Sequence, residues 1–182
     1  MEANLTQTSR HRSRLAPLAL LVALTGSLVL TSKAAQDQPE DGRYYRIQNF
    51  NSKLYLGVNG KTESGAEVMQ VNLNKNAPGQ QWRFVRVGRY YQIINKLSEK
   101  SLDVKDSSSD INNPIIQWES HPNRKNQQWE LRKLNGHFSL VARHSGMGIG
   151  IIDQSKEKGA EVVQLPARRA KNQAFDLIPV ED

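Results

Sequence analysis

Alternation of apolar and polar residues is the main pattern of this chain from about residue 44 onward. In three places an aromatic residue is followed two positions later by an aliphatic one: Tyr45 and Ile47, Tyr91 and Ile93, and Phe138 and Leu140. Residues two positions apart lie on the same face of a β-strand. The pattern therefore predicts three strands that each bury one face.

Two further strands are predicted in each copy of this pattern. A second alternating pair follows each aromatic residue after eleven positions, at Leu56 and Val58, Leu102 and Val104, and Ile149 and Ile151. A glutamine then stands at the same place in a third segment of each copy, at Gln70, Gln117 and Gln164. Clusters of Gly and Asn separate the strands, as is usual at turns. No amphipathic helical run of useful length occurs.

Each copy closes with a Gln, any residue and an aromatic residue, followed two positions later by another apolar residue. The closing segments are Gln80–Phe84, Gln127–Leu131 and Gln173–Leu177. The sequence thus repeats three times, at 44–89, 90–136 and 137–182. Four short strands are predicted in each copy, so the fold class is all-β.

A single copy is too small to bury a sheet face, so the three copies are expected to share one core. Three such units can close around a pseudo-threefold axis, which removes the exposed sheet edges. Six aromatic residues are predicted to form layers of that core: Tyr45, Tyr91, Phe138, Trp82, Trp129 and Phe175. A propeller of three blades is the geometric alternative, although propellers usually need more blades.

The N-terminal segment differs from the repeats. Arg10, Arg12 and Arg14 precede an apolar run at 15–30, which is shorter than the roughly 18–20 residues of a membrane span. Ser32 and Ala34 fit a cleavage site after Ala34. We therefore predict a signal peptide at 1–34, a linker at 35–43, and a secreted protein with no membrane attachment after cleavage. An uncleaved anchor formed by 15–30 is the alternative.

Composition narrows the chemistry. The chain has no cysteine, which excludes disulfides and thiolate metal sites, and its four histidines lack metal-ligand spacing. The net charge is +7, part of which lies in the leader. The remaining basic residues are scattered, apart from Arg168, Arg169 and Lys171. A solvated surface explains this distribution better than nucleic-acid binding, and neither a cofactor nor a metal is expected.

The closing motifs carry a family resemblance. Three Gln-x-Trp-type motifs about 46 residues apart, together with the segments Lys100–Val104 and Asn126–Trp129, resemble the ricin-type β-trefoil lectin domain. The resemblance covers the chain from Gly42 onward. It implies a β-trefoil and carbohydrate binding. The aromatic residue of the motif is expected in the core and its glutamine on loop backbone groups, so the motif itself is not expected to bind sugar.

The resemblance also implies where a sugar would bind. In this family an aspartate near the second strand accepts hydrogen bonds from sugar hydroxyls, an aromatic side chain stacks on the sugar, and an Asn-Gln pair adds polar contacts. The second copy has every element, at Asp103, Gln117, Trp118, Asn126 and Gln127. The first and third copies have glycine at the aspartate position and an aliphatic residue at the aromatic position, namely Gly57 and Val71, and Gly150 and Leu165. One site, in the second copy, is predicted.

Other functions stay open at this point. No nucleophile elbow, zinc signature or phosphate loop is present, so the protein is predicted not to be an enzyme. The expected partner is a glycan or polysaccharide, and a single shallow site would favour a homo-oligomer for avidity. The alternative is a protein-binding trefoil, such as an inhibitor or a subunit of a toxin or enzyme complex. A variant is an anionic polysaccharide held by Arg168, Arg169 and Lys171.

Overall fold

The computed structural model describes Met1 and residues 38–181. The apolar run, the cleavage site after Ala34 and the first part of the linker therefore lie outside the described residues. Within the described part of the chain, no helix is long and apolar enough to cross a membrane.

Twelve β-strands account for the regular structure, four in each repeat as predicted. They are β1 Tyr44–Asn49, β2 Tyr55–Gly57, β3 Met69–Val71, β4 Trp82–Val87, β5 Tyr90–Asn95, β6 Ser101–Val104, β7 Ile115–Trp118, β8 Trp129–Leu134, β9 His137–Ala142, β10 Gly148–Ile151, β11 Val162–Leu165 and β12 Phe175–Pro179. Single 3₁₀ turns lie at Pro78–Gln80, Lys105–Ser107, Lys125–Gln127, Ile152–Gln154 and Lys171–Gln173. Residues 38–181 contain no α-helix.

Six of the strands close a barrel. Strand β1 pairs with β4, β4 with β5, β5 with β8, β8 with β9, β9 with β12, and β12 with β1, all antiparallel. The hairpins β2–β3, β6–β7 and β10–β11 lie beside it and contact one another through single bridges such as Glu67 with Ile116. This is a β-trefoil. A propeller would keep the four strands of each copy in a separate blade, so the closed barrel excludes that alternative.

The predicted aromatic layers form the core. Trp82, Trp129, Phe175 and Tyr45 are fully buried, and Tyr91 and Phe138 are 1% and 6% exposed. The indoles of Trp82 and Trp129 each donate a 3.1 Å hydrogen bond to a main-chain oxygen in the second strand of their repeat, at Leu56 and Leu102 respectively. Burial of an aromatic ring is strongly stabilising when its polar atom finds such a partner.

Candidate functional site

A shallow depression lies on the second repeat, where the sequence places the candidate site. Strand β6 buries Leu102 and Val104 in the core, and Asp103 between them faces the opposite side of the strand. The depression has a volume of about 170 Å³. Its lining includes Gly65, Asp103, Asp106, Trp118, Arg124 and Asn126.

Two amide side chains hold the Asp103 carboxylate. Asn126 Nδ2 donates to Oδ1 at 2.9 Å and Gln127 Nε2 donates to Oδ2 at 2.8 Å. Both donors come from the 3₁₀ turn that precedes β8, and Asn126 also donates to the Val104 carbonyl at 3.1 Å. The carboxylate is therefore fixed before any ligand arrives, and each oxygen keeps further acceptor capacity.

Burial sets the protonation behaviour of Asp103, which is 3% exposed. Desolvation raises its pKa from the ordinary 3.8 to about 6, although the hydrogen bonds from Gln127 and Asn126 and the nearby Arg124 charge act in the opposite direction. The group is thus an ionised acceptor at neutral pH and a neutral acid in mildly acidic solution.

Trp118 stands at the edge of the depression. It is 38% exposed, whereas Val71, at the matching position of the first repeat, is 5% exposed. Gly65 of the neighbouring repeat lies beside the ring, and a Cβ there would be in van der Waals contact, 3.6 Å from Trp118 Cζ3. The exposed ring next to a carboxylate offers an apolar face beside a hydrogen-bond acceptor.

Gln127 lies behind the depression rather than in it. Its side chain is fully buried, and besides Asp103 it binds the Glu119 carbonyl and the His121 amide. Gln80 and Gln173 make the same pair of loop backbone contacts in the other repeats. This confirms the predicted structural role of the motif glutamine. In the second repeat it gains the additional task of orienting Asp103.

The structure places Gln117 away from the depression, in a set of contacts between repeats. Its Nε2 donates to the carbonyls of Lys61 and Glu63, at 3.0 and 3.1 Å, and its Oε1 accepts from Ser98. Gln70 and Gln164 likewise each bind two carbonyls in the loop of another repeat. Gln117 therefore contributes by fixing the loop that carries Gly65, because its side chain is fully buried and does not line the depression.

Three charged residues of the depression are not among the predicted site residues. Lys105 and Arg124 bring positive charge to it, and Asp106 brings a carboxylate on a left-handed backbone at φ 56°. All three lie within three positions of Asp103 or Asn126 in the chain, and this proximity is the only feature of the sequence that indicates their place in the depression. Within residues 38–181, no three His, Asp or Glu side chains are grouped closely enough to hold a metal ion.

Comparison with known proteins identifies the family. The model of the ricin-type beta-trefoil lectin domain-like family matches residues 31–118 and 125–182. The chain belongs to this family. No curated protein sequence is similar enough to count as a match.

Solved structures show the same fold for this ricin-type domain. The designed threefold-symmetric protein ThreeFoil is 36% identical, with a TM-score of 0.72, over 74% of this chain and 97% of its own. An exo-β-1,3-galactanase from Clostridium thermocellum is 32% identical, with a TM-score of 0.73, over 79% of this chain but 31% of its own. The C-half of an earthworm R-type lectin, solved with GalNAc, is 18% identical, with a TM-score of 0.62, over 75% of this chain and 98% of its own.

The first and third repeats of this ricin-type domain are tightly packed at the position of Asp103. A Cβ on Gly57 would lie 3.0 Å from Val71 Cγ2, and a Cβ on Gly150 would lie 2.9 Å from both Gln173 Cγ and Leu165 Cδ1. Contacts this short require neighbouring atoms to move. The aliphatic residue that replaces Trp118 therefore occupies the space that the acceptor uses in the second repeat.

Proposed function

We propose that this lectin-family domain binds one sugar residue of a glycan or polysaccharide in the depression around Asp103. The observation that supports this most strongly is the carboxylate held by Asn126 and Gln127 beside the exposed ring of Trp118. Ionised acceptors make stronger hydrogen bonds to hydroxyl groups than neutral acceptors do, and a ring face fits the C–H side of a pyranose. The volume of about 170 Å³ limits the contact to a small unit.

The geometry favours binding over catalysis. Glycoside hydrolysis needs two carboxyl groups on either side of a cleft that holds the scissile bond, whereas Asp103 and Asp106 line one shallow depression. The galactanase among the similar structures is a much longer chain, of which the present one covers 31%. We therefore propose a binding module that acts without cofactor or metal.

Affinity at one shallow site is expected to be low. A millimolar dissociation constant corresponds to about −4 kcal/mol. Because the other two repeats lack the acceptor and the ring, we propose that several copies of the chain act together, as a homo-oligomer or on a repetitive ligand.

Binding of neutral glycans on an array is expected to weaken in Trp118→Ala. Removal of the ring eliminates one face of the proposed site, and a stacking contact of about 1–2 kcal/mol corresponds to roughly a 5–30-fold loss. Leu165→Ala removes a side chain at the matching position of the third repeat and serves as the control. Equal binding by both variants, or no glycan bound by the wild type, would favour the protein-binding alternative.

We also propose that the protein is secreted after removal of residues 1–34. The basic residues before the apolar run at 15–30 and the small residues at Ser32 and Ala34 support this. Expression in a secreting host should release a protein whose measured mass corresponds to a start at Ala35. An uncut chain in the membrane fraction would favour the anchor instead.

A further inference from the structure

The three repeats meet at three equivalent junctions. Each junction contains the first residue of the opening strand of one repeat, the residue that follows the opening strand of the next repeat, and the middle residue of the closing Gln-x-aromatic motif. The first junction is Tyr44, Lys96 and Gln81; the second is Tyr90, Arg143 and Gln128; the third is His137, Phe50 and Ala174. The amides of Lys96, Arg143 and Phe50 donate to the carbonyls of Gln81, Gln128 and Ala174, at 2.8–2.9 Å. These shared contacts establish the equivalence.

The first and second junctions use the same polar arrangement. Lys96 Nζ lies 4.9 Å from the centroid of the Tyr44 ring and donates to Gln81 Oε1 at 2.9 Å. Arg143 lies 4.7 Å from the centroid of the Tyr90 ring and donates to Gln128 Oε1. In both cases a cation covers an aromatic ring and is fixed by a glutamine.

The third junction replaces all three side chains and forms an apolar cavity that is open to solvent. Phe50 packs on His137 with ring centroids 4.0 Å apart, and Ala174 is too short to fill the space that a glutamine takes elsewhere. The resulting cavity has a volume of about 270 Å³ and is also lined by Leu134. That is slightly below the roughly 300–1,000 Å³ of sites for drug-sized molecules, so one sugar-sized unit fits.

Positive charge surrounds this cavity. Arg169 and Lys171 line it, and within residues 38–181 neither forms an ion pair. Lys53 Nζ lies 4.2 Å from the centroid of Phe50. No Asp or Glu is among the residues that line the cavity, and Asp176 nearby is bound by His137 Nδ1 at 2.6 Å. The groove at the first junction differs, because carboxylates such as Glu40 and Asp41 lie among its cations.

We propose that the third junction is a second binding site, which takes an anionic sugar residue of a glycan. The apolar floor of Phe50, Leu134 and Ala174 contacts the C–H face of the sugar, and Arg169 and Lys171 bind its carboxylate or sulfate group. This site is separate from the depression around Asp103. It also gives a role to the basic residues Arg169 and Lys171.

The test uses two anionic probes, a galacturonate tetramer and a heparin tetrasaccharide, with the methyl ester of the galacturonate tetramer as the neutral counterpart. The purified protein is expected to bind at least one anionic probe at low salt and to lose it as salt rises. The ester is expected to bind at least about tenfold more weakly, since it lacks the charge-assisted hydrogen bonds. The two anionic probes distinguish a carboxylate from a sulfate ligand.

Two variants locate the binding. Arg169→Gln/Lys171→Gln is expected to weaken the anionic probe at least about tenfold, while Lys156→Gln/Lys158→Gln, which removes the same charge from an exposed loop, leaves affinity nearly unchanged. Phe50→Lys/Ala174→Gln introduces the lysine and the glutamine of the first junction opposite His137. It adds one positive charge and yet should reduce binding, because the cavity is filled.

Several results would overturn the proposal. One is wild-type protein that binds neither anionic probe. Another is equal weakening by the two charge-removing variants, which would indicate general electrostatic attraction. A third is tighter binding by Phe50→Lys/Ala174→Gln, which would show that charge alone matters. Asp103→Ala is expected to leave the anionic probe bound, so this proposal and the proposed site in the second repeat fail independently.

Discussion

Trp129→Ala is expected to lower the free energy of unfolding by about 3–5 kcal/mol. The indole is fully buried in the shared core, so its removal leaves a cavity between repeats. The indole nitrogen also donates to the Leu102 carbonyl at 3.1 Å, and the variant leaves that buried carbonyl without this donor. Leu102 directly precedes Asp103, so loss of this hydrogen bond also removes a contact that holds strand β6, which carries the candidate acceptor.

Urea denaturation monitored by circular dichroism measures this loss. Trp118→Ala is the matched control, since it removes the same side chain from a position that is 38% exposed and next to Gly65. We expect it to cost under about 1 kcal/mol, in the range of surface substitutions. Similar losses in the two variants would contradict the assignment of one tryptophan to the core and the other to the surface.

Most of the fold could be predicted because the same pattern of strands occurs in all three repeats. The alternating pairs that begin at Tyr45, Tyr91 and Phe138 bury the same faces in all three repeats. A single short run of this kind would be ambiguous between strand and helix. Three runs at matching positions of three repeats remove this ambiguity. The number of repeats also limits the ways in which the strands can close into a barrel. The order of barrel strands then follows from the pseudo-threefold symmetry.

The candidate site was predicted less completely, for a physical reason. The structure brings Asp103, Trp118 and Asn126 together as expected, since they occupy one repeat. Gln117 precedes Trp118 in strand β7, and neighbours in a strand face opposite sides, so Gln117 points away from the depression. Its contacts reach a loop of the first repeat. Pairing between distant loops cannot be read from one repeat, although the presence of Gln70 and Gln164 at the same position indicated a shared structural role.

The third junction was missed for the same reason. Phe50 and Ala174 are 124 positions apart and become neighbours only when the barrel closes, through the Phe50 amide and the Ala174 carbonyl at 2.8 Å. Arg169 and Lys171 were visible as a basic cluster, yet nothing in the sequence placed an aromatic pair beside them. Both proposed sites thus lie where one repeat differs from the other two. The second repeat alone has an aspartate at the position of Asp103, and the third junction alone lacks the polar side chains of the other two junctions.

Asp103→Ala is expected to weaken binding of a neutral sugar by about 10–100-fold. Loss of the ionised acceptor removes a charge-assisted hydrogen bond to a sugar hydroxyl, which is worth about 1.5–3 kcal/mol. It also leaves the amides of Asn126 and Gln127 without the partner that holds them. Titration calorimetry with the best glycan from the array measures the change. Asp153→Asn, which removes an exposed carboxylate in the third repeat, should bind like the wild type.

The pH dependence of the same affinity follows from the raised pKa of Asp103. Burial raises it to about 6, so the acceptor is ionised above that pH, and affinity should fall toward tenfold per pH unit below it. Stability moves in the opposite direction. Because the folded-state pKa lies above the ordinary 3.8, the stabilisation from protonating Asp103 is complete below about pH 4 and is lost as pH rises through about 6. A wild-type affinity that stays constant from pH 7.5 to 4.5 would exclude the Asp103 carboxylate as the acceptor. Asp103→Asn should show a flat profile at weaker affinity, because an amide does not titrate in this range. Binding and folding thus place opposite demands on the Asp103 carboxylate.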